Sequence, residues 1–319
     1  MSSTPPDAAS SRIDWLLFLA LGFLWGSSYL FIKIGVDAGL QPFTLVMFRL
    51  LVGFLLLLTV VAAAREKLPR TLKPYVHLGV MGFVNVLLPF SLITWAERST
   101  DSALAATLTA PVPLLVVPIA AFLLPDERLT ITKLLGVAVG LIGVAILVGF
   151  DPTSVARNDL VAELALVGAA VSYAVGAVYA RRNVRGLRPM IPALFQVGYG
   201  LLMAAILAFV FEQPLSTPLT VPTIGAVIWL GLLGSGLAYL VYFRLLSGWG
   251  AARTSLVAYL LPLWGIALGF LVLGEPIQAG LLVGAALVLL GIALVNREST
   301  VALARSAGLR LRLITPRTD

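Results

Sequence analysis

The chain has 319 residues, of which 60% are apolar and 12% charged, and a mean hydropathy of +1.01. That leaves too little polar surface to cover a water-soluble globule of this size. The +7 net charge comes from residues dispersed along the chain, which argues against a nucleic-acid partner, and zero cysteines with one histidine exclude disulfides and most metal centres.

A bilayer core of about 30 Å requires helical segments of about 20 predominantly apolar residues, because every backbone donor must be satisfied within the segment. Ten such spans are predicted. After an N-terminal tail (1–13), the first span (14–34) carries Trp25 and leads to Lys33 instead of a small-residue cleavage site, so it reads as a retained helix. The second (43–64) contains Arg49, and the third (75–96) has His77 near its start, Asn85 at its middle and Trp95 at its end. In the fourth (102–124), Thr107, Pro111, Leu114 and Pro118 share one face by their i, i+4, i+7 spacing. The fifth (130–149) follows Asp126 and Glu127, and a linker (150–159) precedes the sixth (160–180), which carries Tyr173. The seventh (189–211) contains Gln196 and the eighth (222–245) Ser235 and Tyr239. In the ninth (252–273), Ser255, Tyr259 and Pro262 share a face, and the tenth (277–295) follows Glu275 and Pro276 and leads into a basic tail (296–319). The expected fold class is an all-α integral membrane protein. A β-barrel would need alternating segments half as long.

A fixed offset of 148 residues links Glu127, Gly136 and Gly143 to Glu275, Gly284 and Gly291. Trp25 answers Tyr173 and Lys33 answers Arg181 at the same offset, while Arg49 answers Gln196 and Gly53 answers Gly200 one residue short of it. The chain therefore reads as two copies of a five-helix unit, 14–149 and 160–295. Because five is odd, the second copy must enter the membrane from the opposite face, giving ten transmembrane helices as two inverted repeats. With a cytoplasmic N-terminus, eighteen of the 22 Lys and Arg residues fall in cytoplasmic segments and only Lys33, Arg98 and Arg157 fall outside, with Arg49 inside a span. That asymmetry predicts that both termini lie in the cytoplasm.

Several stretches carry a resemblance: Trp25-Gly26-Ser27-Ser28, Lys33, Phe48-Arg49 and Asp126-Glu127-Arg128-Leu129 in the first half, and Gly250-Ala251-Ala252, Pro262-Leu263-Trp264 and Leu273-Gly274-Glu275-Pro276 in the second. As an ordered set over about residues 14–295, they resemble the EamA-like ten-helix exporters of the drug/metabolite transporter superfamily. The resemblance implies a carrier of small metabolites in a bacterial-type cytoplasmic (inner) membrane, with amino-acid and metabolite exporters prominent among its relatives. The reading Leu124-Pro125-Asp126-Glu127 departs from the usual Leu-Gly-Glu and leaves the register of the fourth helix open.

The polar and helix-breaking residues inside these spans are the expected site. An arginine at full bilayer depth costs at least about 2.5 kcal/mol, so Arg49 is either an anchor for an acidic substrate group or a structural residue satisfied by carbonyls. Asn85 and Gln196 offer amides to a substrate or to a neighbouring helix. Trp25 and Tyr173, far from the interfaces, read as cavity lining or core, with Trp95, Thr107, Ser235, Tyr239 and Tyr259 as further lining residues. Pro111, Pro118 and Pro262 free backbone carbonyls and mark helices four and nine either as a gating pair or as static kinks. Glu127 and Glu275 read as caps of the helices that follow them. No acidic residue is expected deep in a span, so no proton relay is evident. The GxxxG pairs Gly22 with Gly26, Gly136 with Gly140, Gly265 with Gly269 and Gly280 with Gly284 are expected to pack helices internally.

Neither HExxH nor GxSxG occurs in the chain, and no cofactor is called for. The expected activity is transport of a small molecule by alternating access, most simply export of amino acids or related compounds. A passive facilitator and a ligand-binding receptor are the alternatives. The bilayer is the one partner the sequence specifies, and oligomeric state is left open.

Overall fold

The computed structural model describes residues 12–66, 68–123, 130–147, 159–184, 187–188 and 190–297. Glu127, its neighbours Asp126 and Arg128, most of the linker and both chain ends lie outside them. Among the described residues the regular structure is all helix, with no strand. Eight helices are long and apolar enough to cross a membrane, and two more apolar helices have 17 residues each. In chain order they are α1 (Arg12–Asp37), α2 (Pro42–Ala63), α3 (Leu72–Ala96), α4 (Ser102–Leu123), α5 (Ile131–Leu147), α6 (Asp159–Asn183), α7 (Met190–Phe211), α8 (Val221–Leu246), α9 (Leu256–Leu273) and α10 (Ala279–Val295).

Local chemistry sets several of the ends. Pro42 opens α2 where its missing N–H is no loss. Thr220 and Thr223 form a capping box at the start of α8, each side chain satisfying a backbone N–H of the other. Gly274 ends α9 in the left-handed conformation (φ 68°) that a side chain would strain. The start of α10 lies at Ala279 instead of 277, so Pro276 stands outside that helix and not in its first turn.

Hydrophobic burial ties distant spans together. Leu50 and Leu57 of α2 pack with Val86 of α3 and with Leu194 and Val197 of α7. Phe18 and Leu21 of α1 pack with Val241 and Leu245 of α8 and Leu256 of α9. A third cluster joins Tyr29 of α1, Ile93 of α3, Leu108 of α4 and Leu166 of α6. Outside this core, Leu55, Leu58, Phe122, Phe209 and Phe270 are exposed, as expected of faces that meet lipid tails instead of water.

Glycines decide how close the helices come. The α5 and α10 helices run antiparallel: a Cβ on Gly136 would lie 2.8 Å from the Gly291 carbonyl oxygen, and one on Gly143 would lie 2.8 Å from that of Gly284. These contacts are reciprocal, since Gly284 and Gly291 are the counterparts of Gly136 and Gly143 at the 148-residue offset. Gly22 and Gly26 of α1 similarly receive Leu260 and Trp264 of α9, and Gly265 receives Ala106 of α4. Gly280 is the exception among the expected packing glycines, since a Cβ added there would meet nothing within 4 Å.

Three spans depart from α geometry in a way the apolar pattern did not signal. Wider π turns occupy Phe83–Leu87 in α3, Trp229–Leu237 in α8 and Gly269–Leu273 in α9. Shifted by 148 residues, the first falls inside the second. Such turns insert a residue into the helical ladder and re-aim side chains, often at functional positions.

The connecting turns gather at two ends. At the first, here end A, the α7–α8 side supplies Glu212, whose carboxylate accepts from the Phe43 and Thr44 N–H groups at 3.0 and 2.7 Å. Lys33 donates to the Glu97 carbonyl across the same end at 2.9 Å. At the opposite end, end B, Arg188 pairs with Glu66 at 2.8 Å and Arg244 with Asp14 at 3.7 Å.

Candidate functional site

The centre of the bundle is organised around Arg49, only 3% exposed. Its position follows from glycine packing: Gly53 lets α2 approach α8 so closely that a Cβ there would lie 2.9 Å from the Ser235 Cβ and 3.1 Å from the Gly231 oxygen. The π turn of α8 then presents Ser235, whose hydroxyl oxygen accepts from both Nε and Nη2 of Arg49 at 3.3 Å. The Phe90 ring of α3 lies 4.1 Å from the guanidinium carbon, in cation–π contact. Tyr29, Tyr173, Tyr239 and Glu97 lie within electrostatic reach of the same guanidinium.

Among the described residues, Arg49 thus lacks the ion pair that a buried arginine ordinarily requires. A buried cation held by one hydroxyl at long range and one aromatic face retains further hydrogen-bonding capacity. A planar carboxylate would satisfy it with two parallel bonds.

Beyond Phe90, the aromatic neighbours of this cation are Tyr29, Tyr173 and Tyr239, and Trp25 reaches it only through Tyr239. Trp25 stands edge-on to Tyr239 at 6.4 Å and tilted against Tyr242 at 5.5 Å. Tyr173 packs against the α1, α3 and α4 cluster that includes Tyr29. Tyr29 shares a hydrogen bond with Thr109 at 2.5 Å, tying α1 to α4, and Trp229 donates to Ser27 at 3.0 Å while stacking on Phe31 at 4.3 Å.

Of the residues singled out in sequence, Ser235 bonds Arg49, Tyr173 and Tyr239 lie within its electrostatic reach, and Trp25 packs against Tyr239. Asn85 and Gln196 meet each other instead, the Asn85 amide donating to the Gln196 oxygen at 3.1 Å between α3 and α7. Thr107 donates its hydroxyl to the Ala103 carbonyl of its own helix at 2.8 Å, and Trp95 is 41% exposed, away from the cluster. Tyr259 ends the 3-10 turn Ser255–Tyr259 and is partly buried between two core clusters. Pro111 breaks α4 into Ser102–Thr109 and Val112–Leu123, Pro118 lies within the second piece, and Pro262 follows the 3-10 turn of α9. His77 at end B is held by the Tyr179 hydroxyl at 2.7 Å.

Glu275 corrects the sequence reading. Its carboxylate caps α4, not its own following helix: the Ser102 and Ala103 N–H groups donate to it at 2.8 and 3.0 Å. Replacing Glu275 by alanine should cost about 1–2 kcal/mol, the worth of a helix cap made by an ionised group. Thermal unfolding in detergent should rank native protein above Glu275→Gln, and Glu275→Gln above Glu275→Ala; equal midpoints for all three would remove the cap from the account.

Glu97 is the residue that sequence reasoning missed. It caps the C-terminal end of α3 just past the apolar run, yet it is fully buried, and both carboxylate oxygens and the nearby Ser102 hydroxyl lack hydrogen-bond partners among the described residues. Burial holds its pKa well above the ordinary 4.5; Lys33 opposes that shift and Glu275 adds to it. One signal was available: an acid at a helix C-terminus opposes the helix dipole and so calls for a local reason.

The apolar helices define a multi-pass helical membrane protein. The chain belongs to the EamA-like transporter family, whose model matches it twice, at residues 13–149 and 160–297. Its relatives include the uncharacterized transporter YoaV of Bacillus subtilis, 24% identical over 86% of this chain and 93% of that one. The uncharacterized inner membrane transporter YedA of Escherichia coli is 29% identical over 81% of this chain and 82% of its own. A crystal structure at 24% identity superposes with a TM-score of 0.63, covering 92% of this chain and all of the other, and shares its fold.

Proposed function

We propose that this transporter moves a small carboxylate-bearing metabolite, most simply an amino acid or a related compound outward across a bacterial-type cytoplasmic membrane. The observation that carries the reading is Arg49, buried, lacking a carboxylate partner among the described residues, with Tyr173 and Tyr239 within its electrostatic reach and Trp25 packed against Tyr239. Arg49 takes the acidic group, Ser235 orients the guanidinium, and the aromatic rings enclose the rest of the solute.

The mechanism we infer is alternating access by two inverted five-helix repeats, 14–149 and 160–295, which together make ten transmembrane helices. The twofold match of the family model and the reciprocal α5 and α10 glycine contacts support it. A local twofold axis relating residue i to j and j to i produces contacts of that kind, and inverted repeats expose a central site to each face in turn. The broken helices α4 and α9, at Pro111, Pro118 and Pro262, are the proposed gates. The basic residues of end B make that end cytoplasmic and end A external, with both termini inside.

The test is a thermal-shift screen of amino acids, nucleosides and sugars against the purified protein, followed by counterflow in proteoliposomes with each hit. Carboxylate-bearing hits that show trans-acceleration are the expected result. Non-saturating flux without trans-acceleration would make the protein a passive facilitator, and binding without flux would make it a receptor.

A further inference from the structure

Glu97 is unused by the proposed substrate site and is unusual in its surroundings. A carboxylate with no hydrogen bond in a buried site is costly to keep charged, whereas the neutral acid is far cheaper to bury. The groups facing it come from several elements. Lys33, Asp37 and Tyr29 stand on α1, Arg49 on α2 and Glu275 on the α9–α10 turn, while Arg98 and Asp101 of its own turn are exposed. Glu275 is committed to the α4 N–H groups and adds negative charge.

The nearest cation is engaged elsewhere. Lys33 Nζ donates to the backbone carbonyl of Glu97 at 2.9 Å and pairs with Asp37 at 3.2 Å, and neither bond reaches the Glu97 carboxylate. Asp37 is 54% exposed, so water can replace Lys33 there at little cost. Lys33 is therefore placed to exchange one acid for the other without leaving α1.

We propose that Glu97 is a proton-binding site: the fold holds it as the neutral acid at end A, and loss of its proton to water draws the Lys33 ammonium from Asp37 to the new carboxylate. The step is a simple ionisation in which the O–H bond breaks, the proton leaves to solvent and Lys33 balances the remaining charge. Proton occupancy would then set the contact between α1 and the end of α3 at end A, where Lys33 meets Glu97. Glu97 needs no carboxylate on Arg49, because its ligand is the proton and its charge partner is Lys33, while Arg49 acts on it only through charge.

Linkage fixes the sign of the pH effect. Because the folded pKa lies above the ordinary 4.5, the folded chain keeps a proton that the unfolded chain has lost, so this contribution is full below 4.5 and disappears as pH rises through the folded value.

The test uses the full-length protein in detergent and needs no substrate. Infrared difference spectra should show a protonated-carboxyl band at neutral pH that fades on alkalinisation and is absent from Glu97→Gln. Lys33→Met should move its midpoint to higher pH, and the unfolding midpoint of the native protein should fall relative to Glu97→Gln as pH rises. A band that persists in Glu97→Gln, or a native midpoint in the range of a free glutamate, would overturn the proposal. So would loss of the band when choline chloride is exchanged for sodium chloride at fixed pH, since the pocket would then hold a metal cation. Should Glu97→Gln not fold, an unmoved midpoint in Lys33→Met would overturn it equally.

Discussion

Replacing Arg49 by glutamine is expected to weaken transport of carboxylate-bearing substrates about 10- to 100-fold while affecting neutral ones much less. The magnitude follows from losing a hydrogen bond to a charged group, about 1.5–3 kcal/mol, at about 1.4 kcal/mol per tenfold change. Counterflow of paired acidic and amide solutes in proteoliposomes measures it. A second readout separates a binding arginine from a structural one. The Arg49 guanidinium has only Ser235 and Phe90 as direct partners among the described residues, so removing its charge relieves desolvation and leaves the unfolding midpoint unchanged or higher. Equal loss for acidic and neutral solutes, together with a lower midpoint, would make Arg49 part of the scaffold.

The second large effect lies at the contact of α5 with α10. Gly143→Val should cost about 3 kcal/mol or more, because a Cβ at that position would lie 2.8 Å from both the Gly284 oxygen and the Val288 nitrogen. Both are backbone atoms of a helix, which cannot turn aside as a side chain would. The alanine pair Gly136→Ala and Gly291→Ala should be non-additive, since each would press on the same opposing backbone: a Cβ on Gly136 lies 2.8 Å from the Gly291 oxygen, and one on Gly291 lies 2.6 Å from that of Gly136. Gly280→Ala is the internal control. Nothing lies within 4 Å of its Cβ position, and it should be neutral or slightly stabilising in the helix. Unfolding midpoints and folded yield in detergent report the four single variants and the Gly136/Gly291 double, and a destabilised Gly280→Ala beside a native-like Gly143→Val would refute the packing account.

Much of this was legible because a bilayer imposes a simple rule on sequence. Spans must be long and apolar, so the approximate bounds of α1, α2, α3 and α7 follow from hydropathy alone. Small residues at four-residue spacing announce close helix contact, so Gly136 and Gly284 were readable as packing positions, while Gly143 and Gly291 stood out only as counterparts in the repeat. Where the chain would change helical geometry was not readable. The residues of Phe83–Leu87 and Trp229–Leu237 are as apolar as their neighbours, and a π turn depends on what the facing helices demand.

Polar side chains show the same division. The apolar pattern marked Arg49 as costly, because charge in hydrocarbon is conspicuous wherever it stands, and Arg49 does sit at the centre of the cluster. It could not tell that Asn85 and Gln196 would commit their amides to each other, or that the Thr107 hydroxyl would turn back to Ala103. Partnership of that kind depends on which helices are neighbours, and that is settled by shape complementarity across residues far apart in the chain.

The amino-acid order alone determined the class of solvent and the family, since hydropathy and spacing are summed along one dimension. Only the tertiary structure decided that Glu275 caps α4 and that the Glu97 carboxylate is buried without a hydrogen bond from the described residues. The physical reason is that burial and hydrogen bonding belong to surroundings: Glu97 stands just past its apolar run and reads as a loop residue until α1, α4 and the α9–α10 turn close over it.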